Sequence, residues 1–285
     1  MEITGILVAT AIVGGVGLFV GLFLGVAAIN FKVEVDEKEE AVLGVLPGNN
    51  CGGCGYAGCS NLAAAIAKGE APTNACPVGG EKVGKLIVDI MGVEAGDSVK
   101  QVAFVQCIGD CNKTKQDYEY YGVEDCRMLA YVPNGGAKSC NYGCLGYGSC
   151  VKACPFDAIH IVDGIAVVDK EKCKACGKCV AACPKNLITL IPYDAKHVVA
   201  CSSHDKGPVT MKSCEAGCIG CQLCKRNCPA DAIIIENFNA AIDQEKCTGC
   251  GTCKEKCPRK VIIKTGHNNY IKMNIDICET SYFTT

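Results

Sequence analysis

Two stretches of this sequence carry the same spacing of cysteines, and this repeat constrains the fold more than any other feature. Residues 138–159 read KSCNYGCLGYGSCVKACPFDAI, and residues 212–233 read KSCEAGCIGCQLCKRNCPADAI. The two align without a gap, 74 residues apart, and Tyr147 in the first stands where the second has Cys221. An internal repeat outranks any single motif as evidence, so we expect two copies of one small module.

The spacing within the repeat predicts iron–sulfur clusters. Twenty-six of the 285 residues are cysteine, a density typical of a disulfide scaffold or a metal protein. Disulfides would require a secreted protein, whereas C-x2-C-x2-C-x3-C-P runs are the pattern of bacterial two-cluster ferredoxins. Three closely spaced thiolates bind one [4Fe–4S] cluster, and the cysteine before the proline crosses to the other. The net charge of −2 provides no basic field for nucleic acid.

The second module contains the complete run twice and therefore predicts two clusters. The ligand sets are Cys218, Cys221, Cys224 and Cys257 for one cluster and Cys228, Cys247, Cys250 and Cys253 for the other. Between the runs, residues 232–243 predict two short strands about a turn, and residues 261–265 predict another strand. Much of the stability of so small a domain should come from its metal.

The first module predicts one complete cluster and one that lacks a ligand. Shifting the repeat by 74 residues gives the complete set as Cys154, Cys173, Cys176 and Cys179. The companion set has Cys144, Cys150 and Cys183, with Tyr147 in the remaining place. We expect Cys140 to supply the fourth thiolate, although the equivalent Cys214 lies in a module that lacks nothing. A three-cysteine cluster and a phenolate ligand from Tyr147 are the alternatives, the phenolate being the harder partner for iron.

A third group of cysteines precedes the repeat. Cys51, Cys54, Cys59 and Cys76 follow the spacing C-x2-C-x4-C-x16-C, with glycines that let a loop fold tightly around an inorganic core. A helix is expected over residues 60–69, and it would return Cys76 as the fourth ligand. These four thiolates predict a [4Fe–4S] cluster. A zinc site is the alternative, although it more often has two separated C-x2-C pairs.

The remaining cysteines leave the number of clusters at five or six. A sixth cluster would use Cys107, Cys111, Cys126 and one further cysteine, whereas buried free thiols are the alternative. No role is assigned to Cys201, Cys214 or Cys278. The four histidines (His160, His197, His204 and His267) lack the paired spacing of a zinc or haem site and are expected at the surface.

Residues 3–29 are uncharged and long enough to cross a membrane as one helix. A cleaved signal peptide would have a shorter apolar core and a basic start. Lys32 and Lys38 follow the segment and no Lys or Arg precedes it, which places the iron–sulfur domains on the cytoplasmic side. We therefore expect a single-pass protein of the cell membrane.

The expected fold class is α+β, in four parts. Residues 1–31 form the transmembrane anchor, and residues 32–96 form a small helical iron–sulfur domain. Residues 97–200 hold a linker segment and the first ferredoxin-like module, and residues 201–285 hold the second module and the C-terminal tail. No phosphate-binding loop, dinucleotide-binding turn or catalytic arrangement is visible, so the chain predicts electron transfer without a substrate-transforming site.

The order of these parts resembles the B subunits of Rnf complexes, the ferredoxin:NAD⁺ oxidoreductases of anaerobic bacteria. The motifs that carry the resemblance are the 51–76 cysteines after the apolar segment, CLGYGSCVKACPFDAI and CTGCGTCKEKCP. Two ferredoxin modules are similar to the clostridial or acetogenic form. The resemblance implies a subunit that accepts electrons from reduced ferredoxin. It would pass them to membrane and flavin-bearing partners, while the complex reduces NAD⁺ and transports Na⁺ or H⁺.

Basic residues around the last ligand set provide a candidate docking surface for an acidic ferredoxin. They are Lys225, Arg226, Lys254, Lys256, Arg259 and Lys260. An ordinary solvated surface is the alternative. For the whole chain, two other functions stay open: an electron-transfer subunit of a membrane hydrogenase or carbon monoxide dehydrogenase system, and a structural zinc protein.

Overall fold

The computed structural model describes residues 3–30, 36–93 and 99–265. The first element is helix α1, Ile3–Asn30, whose 28 residues span about 42 Å at the usual helical rise. Within the described ranges it is the one helix long and apolar enough to cross a membrane, over Thr10–Ala27, and none of that window is buried against the protein. The predicted apolar helix is therefore confirmed as a helix.

Three helices form the small domain that follows: α2 (Glu37–Val45), α3 (Cys59–Ala67) and α4 (Gly80–Met91). The carboxylate of Asp36 caps α2 by accepting the backbone N–H of Lys38 at 3.0 Å. The predicted helix after Cys59 is confirmed as α3. Its apolar face packs on the other two helices around a core of Val42, Leu62, Ile66 and Ile87.

The first module has four strands and two one-turn helices. They are β1 (Gln101–Val105), α5 (Ser149–Ala153), β2 (Ile159–Val162), β3 (Ile165–Val168), α6 (Lys178–Ala182) and β4 (Ile188–Pro192). Strands β2 and β3 form an antiparallel hairpin, and β1 pairs antiparallel with β4 from Gln101↔Pro192 to Val105↔Ile188. An irregular segment with two 3₁₀ turns, Met128–Tyr131 and Pro133–Gly135, connects β1 to the first cysteine run.

The second module repeats this arrangement. Its elements are β5 (His197–Val199), α7 (Gly207–Ser213), α8 (Leu223–Arg226), β6 (Ile233–Glu236), β7 (Asn239–Ile242), α9 (Thr252–Lys256) and β8 (Ile262–Lys264). The strands predicted from residues 232–243 and 261–265 are confirmed as β6, β7 and β8. Strand β5 pairs with β8 as β1 pairs with β4, so the second module begins a few residues before position 201.

Local sequence explains the short helices between the cysteines. Helices α5, α6 and α9 each begin after a glycine with positive φ (71° at Gly148, 75° at Gly177 and 84° at Gly251), a conformation that glycine adopts without strain. Each ends at a cysteine followed by proline, which disfavours helical backbone in the residue before it. These turns present the first cysteines of a run to one side and send the last one across the module.

Candidate iron–sulfur centres

Five predicted ligand sets can be located in the structure, and we number them along the path that they form. Site I is Cys51, Cys54, Cys59 and Cys76, and site II is Cys154, Cys173, Cys176 and Cys179. Site III contains Cys144, Cys150 and Cys183. Site IV is Cys218, Cys221, Cys224 and Cys257, and site V is Cys228, Cys247, Cys250 and Cys253. Every one of these thiols is free.

Site I lies in the glycine-rich loop before α3. Gly52 and Gly55 have positive φ (73° and 86°), which folds the loop back on itself. The side chain of Asn50 accepts the N–H of Cys59 at 2.8 Å and holds the start of α3 against the loop. The Sγ of Cys76 accepts the N–H of Gly79 at 3.3 Å, and burial raises the pKa of this thiol.

Site II adjoins site I. The thiol of Cys179 interacts with those of Cys173, Cys176 and Cys154, and burial raises its pKa to about 12. Cys176 also interacts with Cys51 of site I. The backbones of the two sites touch here, since a Cβ on Gly53 would lie 2.7 Å from the carbonyl oxygen of Cys176.

In the structure Cys126 lies with the three thiols of site III, whereas Cys140, the expected fourth thiol, does not. A cavity of about 390 Å³, counting its opening, is lined by Cys126 together with Cys144, Cys150 and Cys183. Cys150 interacts with these three thiols, and burial raises its pKa to about 12. Cys140 instead lines a different cavity. Cys126 reaches site III because the segment between β1 and the first cysteine run folds over the module.

Hydrogen bonds fix Cys126 in this position. Its N–H donates to the hydroxyl of Ser149 at 2.9 Å, and that hydroxyl donates to Asp125 at 2.9 Å. Tyr147 packs edge-to-face on Tyr120 of the same segment, with ring centroids 5.6 Å apart. The aromatic ring that replaces the second module's cysteine therefore helps to dock the segment that brings the substitute thiol.

Site IV lies in the second module. A cavity of about 350 Å³, counting its opening, is lined by Cys218, Cys221, Cys224 and Cys257. Burial raises the pKa of Cys224 to about 11, and the other three thiols act in the same direction.

Site V lies at the end of the second module. Its cavity of about 310 Å³ is lined by Cys228, Cys247, Cys250 and Cys253, and Cys250 is exposed. His197 lines the same cavity and is 4% exposed, so the expectation that all four histidines lie at the surface is wrong for this one. Burial lowers the pKa of His197, and Lys254 and Lys264 act in the same direction. His197 is buried because β5 pairs with β8 above the site, a contact between distant segments.

Four further cysteines line one cavity between the modules: Cys107, Cys140, Cys201 and Cys214. We call it the inter-module cavity. The trio proposed from sequence for a sixth cluster is not brought together, since Cys126 lies at site III. Cys111 lies by the β2–β3 turn, where its N–H donates to the carbonyl of Asp163 at 3.0 Å. Cys278 lies outside the described residues.

The donor chemistry of these sites fits clusters better than single ions. A lone zinc draws four thiolates to within about 2.3 Å of one point. Within residues 3–30, 36–93 and 99–265, no three Cys, His, Asp or Glu side chains meet at single-ion spacing. The thiols instead surround cavities, as a polynuclear core bound by thiolates requires.

Comparison with protein families agrees with this chemistry. A family described as an Fe-S cluster matches residues 46–78, which include all of site I. Families described as 4Fe-4S dicluster domains match residues 135–184, 172–232 and 217–262. The prediction of tandem ferredoxin-like modules in an α+β fold is thereby confirmed, and [4Fe–4S] clusters are the supported cofactor.

Several curated proteins are similar over most of the chain. The B subunit of the Na⁺-translocating ferredoxin:NAD⁺ oxidoreductase complex of Acetobacterium woodii is 47% identical over 86% of this chain and 73% of its own length. The B subunit of an ion-translocating oxidoreductase complex of Methanosarcina acetivorans is 45% identical over 83% and 89%. The B subunit of the proton-translocating ferredoxin:NAD⁺ oxidoreductase complex of Clostridium ljungdahlii is 41% identical over 80% and 81%.

Proposed function

Because the chain belongs to the B-subunit family of ion-translocating oxidoreductase (Rnf) complexes, as an iron–sulfur electron-transfer subunit, we propose that it receives electrons from reduced ferredoxin. It delivers them to membrane and flavin-bearing subunits, and the whole complex couples NAD⁺ reduction to transport of Na⁺ or H⁺. Clusters held by its thiolates accept and release single electrons. The apolar helix and the family together indicate membrane association. Lys32 and Lys38 after the helix support our proposal that the iron–sulfur domains lie on the cytoplasmic side.

The observation that carries this proposal is the continuity of the thiol sets. Cys51 of site I interacts with Cys176 of site II, and sites II and III share the first module. The Sγ of Cys107 accepts the N–H of Cys144 of site III at 3.4 Å, and the Sγ of Cys201 accepts that of Cys218 of site IV at 3.3 Å. Sites IV and V share the second module, so a series of neighbouring cysteines connects the helical domain with the surface of the second module.

The protein surrounds several of these thiols with backbone donors, and some of the thiols are buried. N–H groups donate to the sulfurs of Cys173, Cys144, Cys183 and Cys228 at 3.3 to 3.4 Å. Hydrogen bonds to sulfur and exclusion of solvent are two of the protein's means of setting a cluster potential. The sites therefore support one-electron exchange.

Site V is the favoured place for the ferredoxin donor, because its Cys250 is exposed and the second module carries several lysines beside its cysteine runs. Lys225, Lys254, Lys256 and Lys260 are exposed. Arg259 has a structural role, since its guanidinium donates to the carbonyls of Cys214 and Gly217 at 2.6 and 3.3 Å. The lysines therefore carry the attraction for an acidic partner.

Charge reversal tests this docking site. The variant Lys254→Glu/Lys256→Glu should slow reduction by ferredoxin about tenfold at low ionic strength and weaken its salt dependence. The matched control is Lys68→Glu/Lys82→Glu, which changes the net charge equally on the exposed surface of the helical domain. Reduction by dithionite, a small inorganic donor, should be unchanged in both variants.

The rates distinguish the outcomes. Slower reduction in the first variant alone supports docking at site V. Equal slowing in both variants, or none in either, rejects it. Reconstituted protein whose centres neither ferredoxin nor dithionite reduces would reject the electron-transfer function itself. The hydrogenase and carbon monoxide dehydrogenase alternatives are disfavoured by the family to which the chain belongs.

A further inference from the structure

The inter-module cavity has the size of the cluster sites but belongs to none of their ligand sets. Counting its opening, it measures about 400 Å³, against about 390, 350 and 310 Å³ for the cavities at sites III, IV and V. Its four thiols are free, and those of Cys107 and Cys214 are buried. Each module contributes two of these cysteines, so the cavity forms only when the two modules are folded against each other.

The four cysteines form two equivalent pairs. Cys107 and Cys201 each lie two residues beyond the first strand of a module, and they face each other in an antiparallel β-bridge. Cys140 and Cys214 are related by the 74-residue repeat. An internal repeat that places matched thiols on both sides of one cavity points to a common purpose.

Hydrogen bonds to the sulfurs follow the same symmetry. The N–H of Cys144 donates to Cys107, and the N–H of the equivalent residue Cys218 donates to Cys201, at 3.4 and 3.3 Å. The N–H of Ser203 also donates to Cys201 at 3.4 Å. The hydroxyl of Thr114 lies 3.5 Å from the sulfur of Cys214 and donates to it. Such donors stabilise sulfur that carries negative charge.

A buried cation adjoins this cavity. The Lys138 side chain is 8% exposed, and its ammonium donates to the carbonyls of Gly109 and Gly164 at 3.4 and 2.9 Å. Gly109 lines the cavity, and the ammonium also acts on the thiol of Cys144. A buried charge is costly unless an opposite charge compensates it. A group of net negative charge in the cavity would supply that compensation.

We infer that Cys107, Cys140, Cys201 and Cys214 bind a sixth [4Fe–4S] cluster, which joins the two ferredoxin modules. Each thiol gives its proton to solvent as its sulfur binds iron, while iron and sulfide come from cluster assembly. Four thiolates on a core of charge about 2+ leave a net charge of about 2− beside Lys138. The inference extends the proposed electron path, because the site adjoins Cys144 of site III and Cys218 of site IV.

Metal analysis of the full chain tests the inference. Anaerobic reconstitution with ferrous iron and sulfide should give about 24 irons per chain, whereas five clusters give about 20. The variant Cys140→Ser/Cys214→Ser should lose about four irons and about one sixth of the integrated EPR spin of the reduced protein. The control Ser202→Ala/Ser213→Ala alters two polar residues of the same cavity and should keep the full count.

A second variant covers the case in which the double variant fails to fold. Cys201→Ser replaces one atom at a partly exposed position and should show the same loss. About 20 irons in the parent protein, zinc in place of the missing iron, or an unchanged count in both cysteine variants would overturn the inference. Because iron and spin counts do not depend on ferredoxin, such a result would leave the proposed function standing.

Discussion

Replacing Cys126 with alanine tests whether tertiary structure completes site III. Cys126, Cys144, Cys150 and Cys183 line that cavity, and Tyr147 occupies the place of the missing ligand in the repeat. We expect Cys126→Ala to leave site III with three thiolates. The site would then hold a three-iron core or none, while sites IV and V keep their clusters.

The size of the effect follows from the burial of this side chain. Cys126 is 9% exposed and packs like a small apolar group. Loss of its sulfur should therefore lower the free energy of unfolding by about 1 kcal/mol. This loss of packing is by itself too little to unfold a domain whose total stability is about 5–15 kcal/mol. The iron content should fall by about one atom if a three-iron core persists and by about four if site III empties.

The assay combines iron and sulfide analysis with low-temperature EPR before and after reduction. The double variant Cys126→Ala/Tyr147→Cys should regain the full iron count, because it restores the C-x2-C-x2-C run of the second module. The comparison variant Cys140→Ala should keep the site III signals. If Cys126→Ala retains every iron while Cys140→Ala loses the site III signals, our assignment of Cys126 is wrong and the expectation from sequence was right.

Two further changes test the surroundings of the sites. Gly53→Ala would place a Cβ 2.7 Å from the carbonyl oxygen of Cys176. We expect this clash to lower the free energy of unfolding by about 1–3 kcal/mol, measured by thermal denaturation. It should also slow electron exchange between sites I and II, measured by freeze-quench EPR. Gly44→Ala in α2 meets open space and should change neither. Lys138→Gln removes a buried positive charge, so the midpoint potential of the adjacent centres should fall in an EPR-monitored redox titration. The exposed Lys115→Gln is its control, and equal potentials in both variants would contradict the role given to Lys138.

The ligand sets with short spacing were accessible from the sequence for a physical reason. Cysteines two or three residues apart are confined to a few ångströms of chain, so their spacing alone nearly fixes which thiols share a core. Thus the spacing of Cys218, Cys221 and Cys224 is enough to group them. The repeat extended this to Cys257 and Cys228, because a known module pattern states where the crossing ligand goes. The apolar segment at 3–29 and helix α3 followed equally from local composition.

Thiols far apart along the chain required the tertiary structure. Cys126 lies 18 residues before Cys144, and Cys107 lies 94 residues before Cys201, separations at which spacing carries no geometric information. The position of Cys126 depends on its hydrogen bond to Ser149. Cys107 and Cys201 are brought together by the antiparallel β-bridge between them. The sequence therefore determined the chemistry and most local ligand sets. Only contacts between distant segments place Cys126 at the site III cavity and Cys140 at the cavity between the modules.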